Sequence, residues 1–135
     1  MASLVLDQPH WEAMRAHVAA ENPLEACGLV AGKQGRSLSL FPIRNEAASQ
    51  TRFRMNGKQQ LAAFQEMERA GWDLLAIYHS HPAGPLGPSP TDLAEVTYPG
   101  VIHFIWSPAA NSWGCRAFLL DNGRALPIEF HISGE

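Results

Sequence analysis

Residues 74–81 have the sequence LLAIYHSH, an apolar run that ends in two histidines. Its apolar part, residues 74–78, does not alternate with polar residues. Strands buried on both faces have this pattern, so we expect helices to cover both sides of a central sheet. Residues 101–106 form a similar run, interrupted by His103. The two runs therefore predict the centre of an α/β fold.

Two amphipathic segments predict helices. The first covers residues 8–20, with Trp11, Met14 and Val18 on one face, and the following Pro23 cannot continue it. The second covers residues 57–70. Single residues predict its buried face and its ends: Leu61 and Phe64 for the face, Asn56 with Gln59 for a capping box, and Gly71 for the stop.

Strands are predicted for the remaining apolar or alternating segments, with turns at residues 33–35 and 121–123. These strands are expected at residues 3–6, 26–32, 37–43, 51–55, 114–120 and 125–131. The sum is an α/β sandwich with a mixed central sheet. We expect one domain that spans residues 1–135, since this is an ordinary domain size.

Composition excludes several classes of function. A net charge of −3 and a pI near 6.0 offer no electrostatic basis for binding nucleic acid. We expect no membrane partner, since no apolar run approaches the roughly 18 residues of a membrane span. Residues 1–7 lack the features of a secretory signal, so a cytoplasmic protein is expected. Cys27 and Cys115 are then expected to be thiols, mainly small buried apolar residues, with a redox role left open.

Candidate metal-binding side chains follow directly after the predicted strand at residues 74–78. His79 and His81 point to the same side of an extended chain, and Asp92 adds a carboxylate soon afterwards. Three protein ligands leave one coordination position free, as in catalytic zinc sites. The pattern therefore predicts a metal-dependent hydrolase. The alternative interpretation is a pair of core histidines at a strand end.

The segment from Ser89 to Asp92 also has the pattern of a helix start. Serine is suited to the N-cap, Pro90 to the first helical position and Asp92 to the third, with residues 93–96 as the helix that follows. Both interpretations are compatible, because a helix start would hold the carboxylate in place. The preceding loop, residues 82–90, contains four prolines and two glycines. A flexible linker or a Pro-x-x-Pro ligand would have this composition, but the loop lies inside the predicted domain.

Hydrolysis also needs a proton acceptor, which spacing alone does not identify. Glu25 is weakly favoured because it lies just before an apolar strand. The other candidates by residue type are Glu12, Glu21, Glu46, Glu66, Glu68, Asp73 and Glu95. Four further histidines are not assigned to metal: His10 and His17 as surface groups, His103 as a hydrogen-bonded core residue, and His131 near the C-terminus.

Residues 79–82, Ser89 and Asp92 together resemble the JAMM motif of MPN-domain metalloproteases. The segment PLEACGL, residues 23–29, resembles the upstream element of that family. Segments at residues 44–48 and 53–55 resemble those of compact bacterial members, and the likeness covers roughly residues 4–120. It implies the MPN (JAMM) fold, a cytidine-deaminase-like α-β-α sandwich. The zinc-deaminase signature H-x-E with P-C-x-x-C and the zincin signature H-E-x-x-H are absent from this sequence.

The resemblance implies a role for each motif residue. His79, His81 and Asp92 would bind one zinc ion per chain, with water as the fourth ligand. Glu25 would take the proton of that water and deliver it to the leaving amine. Ser89 would donate a hydrogen bond to the tetrahedral oxyanion.

The family cleaves bonds after the Gly-Gly tails of ubiquitin-like proteins, and some compact members process sulfur-carrier proteins. The resemblance thus implies a zinc-dependent metallo(iso)peptidase whose partner is such a protein. Residues 44–55 are a hypothetical edge along which the tail could bind as an added strand. Two alternatives stay open: a non-catalytic MPN scaffold and a small-molecule metallo-amidase. The sequence does not indicate an oligomeric state.

Overall fold

A curled mixed sheet organises the computed structural model of the chain. The structure describes residues 4–84, 87–90, 92, 100–121 and 123–134. Within these ranges the helices are α1 (Gln8–Glu21) and α2 (Gly57–Ala70). The strands are β1 (Val5–Asp7), β2 (Cys27–Lys33), β3 (Arg36–Ile43), β4 (Asp73–Ser80), β5 (Ile102–Ala109), β6 (Ser112–Asp121), β7 (Arg124–Ile128) and β8 (His131–Ser133).

The strand order is β7-β6-β5-β4-β2-β3-β1-β8, which places β4 at the centre. β4 runs parallel to β5, and β1 runs parallel to both β3 and β8, whereas the remaining pairs are antiparallel. β7 and β8 lie at opposite edges, although only residues 129 and 130 separate them. Three residue steps reach about 10 Å at most, so the sheet must curl until its edges approach. The predicted mixed α/β architecture is confirmed.

The end of the chain corrects one predicted strand. We expected residues 125–131 to form a single strand, but β7 ends at Ile128 and the chain then crosses to the other edge. There the N–H of His131 donates to Leu4 O at 2.9 Å, and β8 pairs with β1. The side chain of Phe130 packs against Phe104 in the gap, with ring centroids 5.3 Å apart. An alternating pattern cannot reveal that its two halves pair with different neighbours.

Helix α1 covers one face of the sheet as predicted. Met14 and Val18 are fully buried, and Trp11 packs against Trp106 of β5 with ring centroids 4.6 Å apart. Tyr78 of β4 belongs to the same apolar cluster.

Helix α2 covers the other face, where Ala63 and Met67 pack into a cluster that includes Leu29 and Ile77. The prediction that Leu61 is buried was wrong: it is 59% exposed, since the helix turns its Ala63–Met67 stripe toward the sheet. Phe64 is half-buried against the same cluster.

Both ends of α2 follow the predicted signals, with one exception. The Asn56 side chain accepts from the Gln59 N–H at 2.9 Å, and Gly71 ends the helix in the left-handed conformation at φ 77°. The Gln59 side chain does not complete the capping box. It accepts from the Arg44 N–H at 2.6 Å, because the chain of β3 continues past the start of the helix.

The hairpin of β2 and β3 is confirmed. Its turn is formed by Gln34 and Gly35 at φ 53° and 80°, as the mirror-image turns of two-residue hairpins require.

The predicted strand over residues 51–55 is not present, and only an isolated bridge joins Asn45 to Met55. Residues 44–56 instead form a loop in which the Glu46 N–H donates to Arg54 O at 2.7 Å. The strand that was expected to contribute to an edge for a substrate tail is therefore not formed over residues 51–55. In the described part of the chain, neither helix is long and apolar enough to cross a membrane.

Candidate metal centre and catalytic site

The position of β4 between β2 and β5 brings two histidines to one side of the sheet. His79 pairs with Cys27 on β2 and with Ile105 on β5. The extended chain continues past the strand end, since the His81 N–H donates to Trp106 O at 2.7 Å. Both imidazoles therefore face the same way, and their Nε2 atoms lie 3.1 Å apart.

Asp92 reaches the same point from the segment that follows the loop. Its Oδ2 lies 3.1 Å from His79 Nε2 and 3.0 Å from His81 Nε2. The Ser89 N–H donates to this oxygen at 2.8 Å, and the Asp92 N–H donates to Ser89 Oγ at 3.0 Å. This reciprocal pair is the helix-start arrangement that the sequence predicts, and it fixes the carboxylate. The predicted helical residues 93–96 lie outside the described ranges.

Glu25, which lies just before β2, is also close to the two histidines. It is buried, and its carboxylate and the two imidazoles have ligand atoms within 4.8 Å of one another. Burial raises the pKa of the Glu25 carboxyl to about 7. Burial acts in the same direction on Asp92, but the hydrogen bonds from His79 and His81 outweigh it and hold the Asp92 pKa well below its usual range. The Asp92 carboxyl therefore ionises readily, whereas the Glu25 carboxyl has a pKa close to neutral pH.

The donor set fits a divalent metal ion such as zinc. Two imidazole nitrogens and a carboxylate oxygen are common ligands of catalytic zinc. The three atoms are 3.0–3.1 Å apart, and tetrahedral zinc with bonds of about 2.0–2.2 Å needs about 3.3 Å between ligand atoms. Within the described residues Glu25 Oε1 is also buried without a hydrogen-bond partner. Such an atom usually marks a missing ligand, ion or water.

A loop residue that sequence reasoning left without a role also contacts the site. The Phe53 ring stacks on the imidazole of His79, with centroids 4.6 Å apart and planes 29° apart. The sequence offered only a weak signal for this contact, namely that Phe53 lies in a segment that resembles one in bacterial family members.

The other candidate carboxylates have surface roles or lie outside the described ranges. Glu12 pairs with Arg15, and Glu66 pairs with Arg69. Glu46 accepts from Asn56 Nδ2, whereas Glu21, Glu68 and Asp73 are exposed. Glu95 is not described.

The remaining histidines differ in part from expectation. His10 and His17 are half-buried rather than surface groups, and they bond Ser37 Oγ and Tyr78 OH, both at 2.7 Å. His103 is a buried core residue as predicted, but its Nε2 has no partner in the described residues. Burial and the nearby His79 lower the pKa of His103 to about 4. His131 is exposed near the end of the chain.

The two cysteines are free thiols. Cys27 is fully buried, and burial raises its pKa to about 12. Cys115 is partly exposed to solvent. Burial of its surroundings nevertheless raises the pKa of its thiol.

Residues 7–121 match the family described as prokaryotic homologs of the JAB domain. The chain belongs to this family. It is 38% identical over 120 residues to a probable TtuB-protein conjugate cleaving protease of Thermus thermophilus, a match that covers 87% of this chain and 76% of that one. It is 38% identical over 95 residues to a CysO-cysteine peptidase of Mycobacterium tuberculosis, covering 69% and 64%. A desampylase of Haloferax volcanii is 31% identical over 106 residues, covering 73% and 76%.

Solved structures agree with this assignment. A protein from Desulfitobacterium hafniense has a TM-score of 0.88 at 31% identity, covering 98% of this chain and 94% of that one. A JAB1/MPN domain protein from Archaeoglobus fulgidus has a TM-score of 0.64 at 19% identity, covering 98% and 100%, which shows the fold. The predicted compact prokaryotic JAMM family, its MPN fold and its hydrolase class are thereby confirmed.

Proposed function

We propose that this chain is a zinc-dependent metallo(iso)peptidase that cleaves the bond after the C-terminal Gly-Gly tail of a ubiquitin-like or sulfur-carrier protein. One observation carries the proposal: Glu25 and Asp92, from two other segments, each lie close to the buried pair His79 and His81. A scaffold would have no need of this convergence. Burying several ionisable side chains costs free energy, and a bound cation would offset part of that cost.

The proposed zinc ligands are His79 Nε2, His81 Nε2 and Asp92 Oδ2. The N–H of Ser89 holds the carboxylate of Asp92 in position at 2.8 Å. When bound, zinc lowers the pKa of the water it holds to about 7 and polarises the scissile carbonyl.

Glu25 is the proposed proton carrier. Its carboxylate lies beside the histidine pair, and its Oε1 has no hydrogen-bond partner among the described residues. A base with a pKa near the working pH can accept a proton from the nucleophile and then give it to the leaving amine. Burial raises the pKa of the Glu25 carboxyl in this direction.

Ser89 is the proposed donor to the oxyanion of the tetrahedral intermediate. Its Oγ accepts from the Asp92 N–H, which uses one lone pair and leaves the hydroxyl proton available. The same side chain can therefore cap the helix start and donate toward the substrate at once.

The proposed substrate class rests on the named relatives. Their names refer to conjugates of TtuB, to CysO-cysteine and to desampylation. We infer a small ubiquitin-like or sulfur-carrier protein as partner and the cytoplasm as location.

The decisive experiment uses the organism's own ubiquitin-like proteins, each extended by one residue or a short peptide beyond Gly-Gly. Each is incubated with the zinc-loaded protein, and the products are weighed by intact-mass spectrometry. We expect loss of the extension and release of a chain that ends in Gly-Gly. Removal of zinc with a chelator should abolish cleavage, and added zinc should restore it. Intact substrate throughout would reject the peptidase, and cleavage of small amides alone would favour a metallo-amidase.

A further inference from the structure

The loop over residues 44–56 is organised by one buried amide, that of Asn45, which is 9% exposed. Its Oδ1 accepts from the N–H groups of Ala47 at 3.0 Å and Arg54 at 2.9 Å. Its Nδ2 donates to Glu25 O at 3.0 Å and to Arg52 O at 3.1 Å. Both donors and two acceptor sites are thus used, which is the usual capacity of a buried carboxamide.

One of these bonds holds the main chain of Glu25. This residue precedes β2 and so is outside the strand ladder. Its C=O accepts from Asn45 Nδ2, and its N–H donates to Ser49 O at 2.8 Å. The loop therefore clamps the main chain of Glu25 on both sides. Glu25 Oε1 has no partner in the described residues, so these two main-chain bonds are the contacts through which the loop can position the carboxylate.

The other bonds hold the main chain on both sides of Phe53. Arg52 O and the Arg54 N–H bond to the same amide, while both arginine side chains are exposed. Phe53 is thereby turned inward onto the ring of His79. Metal-binding histidines usually have their second nitrogen fixed by a hydrogen bond. His79 Nδ1 has no such partner within the described residues, so the stacked Phe53 ring supplements the Nε2 contacts in orienting the imidazole.

We propose that Asn45 is a positioning residue, which holds the proton carrier Glu25 and the imidazole of His79 in one rigid frame through the loop. The assignment rests on the function proposed above. It goes beyond that function because Asn45 touches neither the metal ligands nor the substrate. Zinc affinity and the rate of proton transfer should then both depend on one amide that lies outside the reacting groups.

The test uses Asn45→Asp, which keeps the shape and the acceptor oxygen but cannot donate to Glu25 O and Arg52 O. The matched control is Asn56→Asp in the same loop. Asn56 also donates one hydrogen bond, to Glu46 Oε2, and accepts one, from the Gln59 N–H. The control variant thus has the same change of charge and loses one hydrogen-bond donor, but Asn56 does not bond to Glu25 or to the main chain beside Phe53.

Three measurements follow for each variant. The first is the dissociation constant of zinc, by competition with a chromophoric chelator. The second is the position of the His79 ring protons in NMR spectra, which report the stacked Phe53 ring. The third is kcat and KM for the extended ubiquitin-like protein.

For Asn45→Asp we expect about 10-fold weaker zinc binding, displaced His79 resonances and a kcat about 10–100-fold lower with KM little changed. Asn56→Asp should match the wild type in all three measurements. A folded Asn45→Asp with wild-type zinc affinity and His79 resonances would overturn the proposal.

Two further outcomes are distinguishable. If the wild type cleaves nothing, the proposed function fails, whereas zinc affinity and the His79 resonances still decide the role of Asn45. If Asn45→Asp does not fold, Phe53→Leu tests the same frame at its other end. That variant should displace the His79 resonances and weaken zinc binding, and unchanged zinc affinity would contradict the proposal.

Discussion

The two faces of the sheet at strand β4 differ in how many of their buried polar atoms have hydrogen-bond partners. On the α1 face the Tyr78 OH bonds His17 Nδ1 at 2.7 Å, and Ser80 Oγ accepts from the Ala26 N–H at 2.8 Å. On the α2 face Glu25 Oε1, His79 Nδ1 and His103 Nε2 are buried without partners among the described residues. Trp106 Nε1 is an exception on the first face.

The difference separates a face built for stability from a face built for chemistry. Leaving a buried polar atom without a partner costs about 1–3 kcal/mol, so the three atoms on the α2 face favour the binding of an ion or water there. Packing on the α1 face is correspondingly tight. A Cβ added at Gly28 would lie 2.3 Å from the Tyr78 ring. Substitutions on the two faces should therefore affect different measurements.

The largest effect is expected for Glu25→Gln on the site face. The amide keeps the shape of the carboxylate but cannot accept the proton, so hydrolysis should fall by about 10²–10⁴-fold. Zinc content, measured by atomic absorption, should stay stoichiometric. His79→Ala is the contrasting variant and should lose the metal itself. Full activity of Glu25→Gln would remove this residue from the proton-transfer role.

Ser89→Ala should lower kcat by about 10²–10³-fold, because the donor to the oxyanion is lost. The same change removes the hydrogen bond that the Asp92 N–H makes, at a cost of about 1 kcal/mol of stability. Ser89→Thr keeps the hydroxyl and should retain both properties. Steady-state kinetics and thermal unfolding separate the two losses. A Ser89→Ala enzyme with normal kcat would limit this residue to its capping role.

Gly28→Ala tests the packed face and should affect stability rather than the zinc site. The added methyl group would overlap the Tyr78 ring, and we expect a loss of about 1–3 kcal/mol in the free energy of unfolding. Gly57→Ala is the matched control, because a Cβ there would meet no atom within 4 Å. Urea denaturation measures both. Equal stability of the two variants would refute the tight contact.

The smallest effect concerns pH and the hydrogen-bonded pair on the α1 face. Burial lowers the pKa of His17 in the folded state, although Glu21 acts in the opposite direction. The unfolded state therefore binds more protons as the pH falls through the unfolded value of about 6.5, and stability decreases. His17→Gln should reduce this decrease, with part remaining from buried imidazoles such as His103. Unfolding of the zinc-loaded protein between pH 8 and pH 5 tests it, and an unchanged pH dependence would contradict the prediction.

Local signals in the sequence were enough where one segment decides its own structure. The caps of α2, the turn at Gln34-Gly35 and the apolar run of β4 each follow from a few neighbouring residues. The motif around His79 and Asp92 could also be recognised from the sequence, because its residues lie close together along the chain. The roles of these residues in binding and catalysis stay predictions.

Only the tertiary structure decided what depends on distant partners. It assigned residues 131–133 to the opposite edge of the sheet, turned Leu61 outward and replaced the strand at 51–55 with a loop around Asn45. It also brought Glu25 to the histidines, a step that spacing alone left open. The physical reason is the same in each case. An alternating pattern or a single polar residue can indicate that a group is buried, but it does not identify the residues that the group contacts. The partner is determined by how the sheet curls and which backbone groups remain to be satisfied.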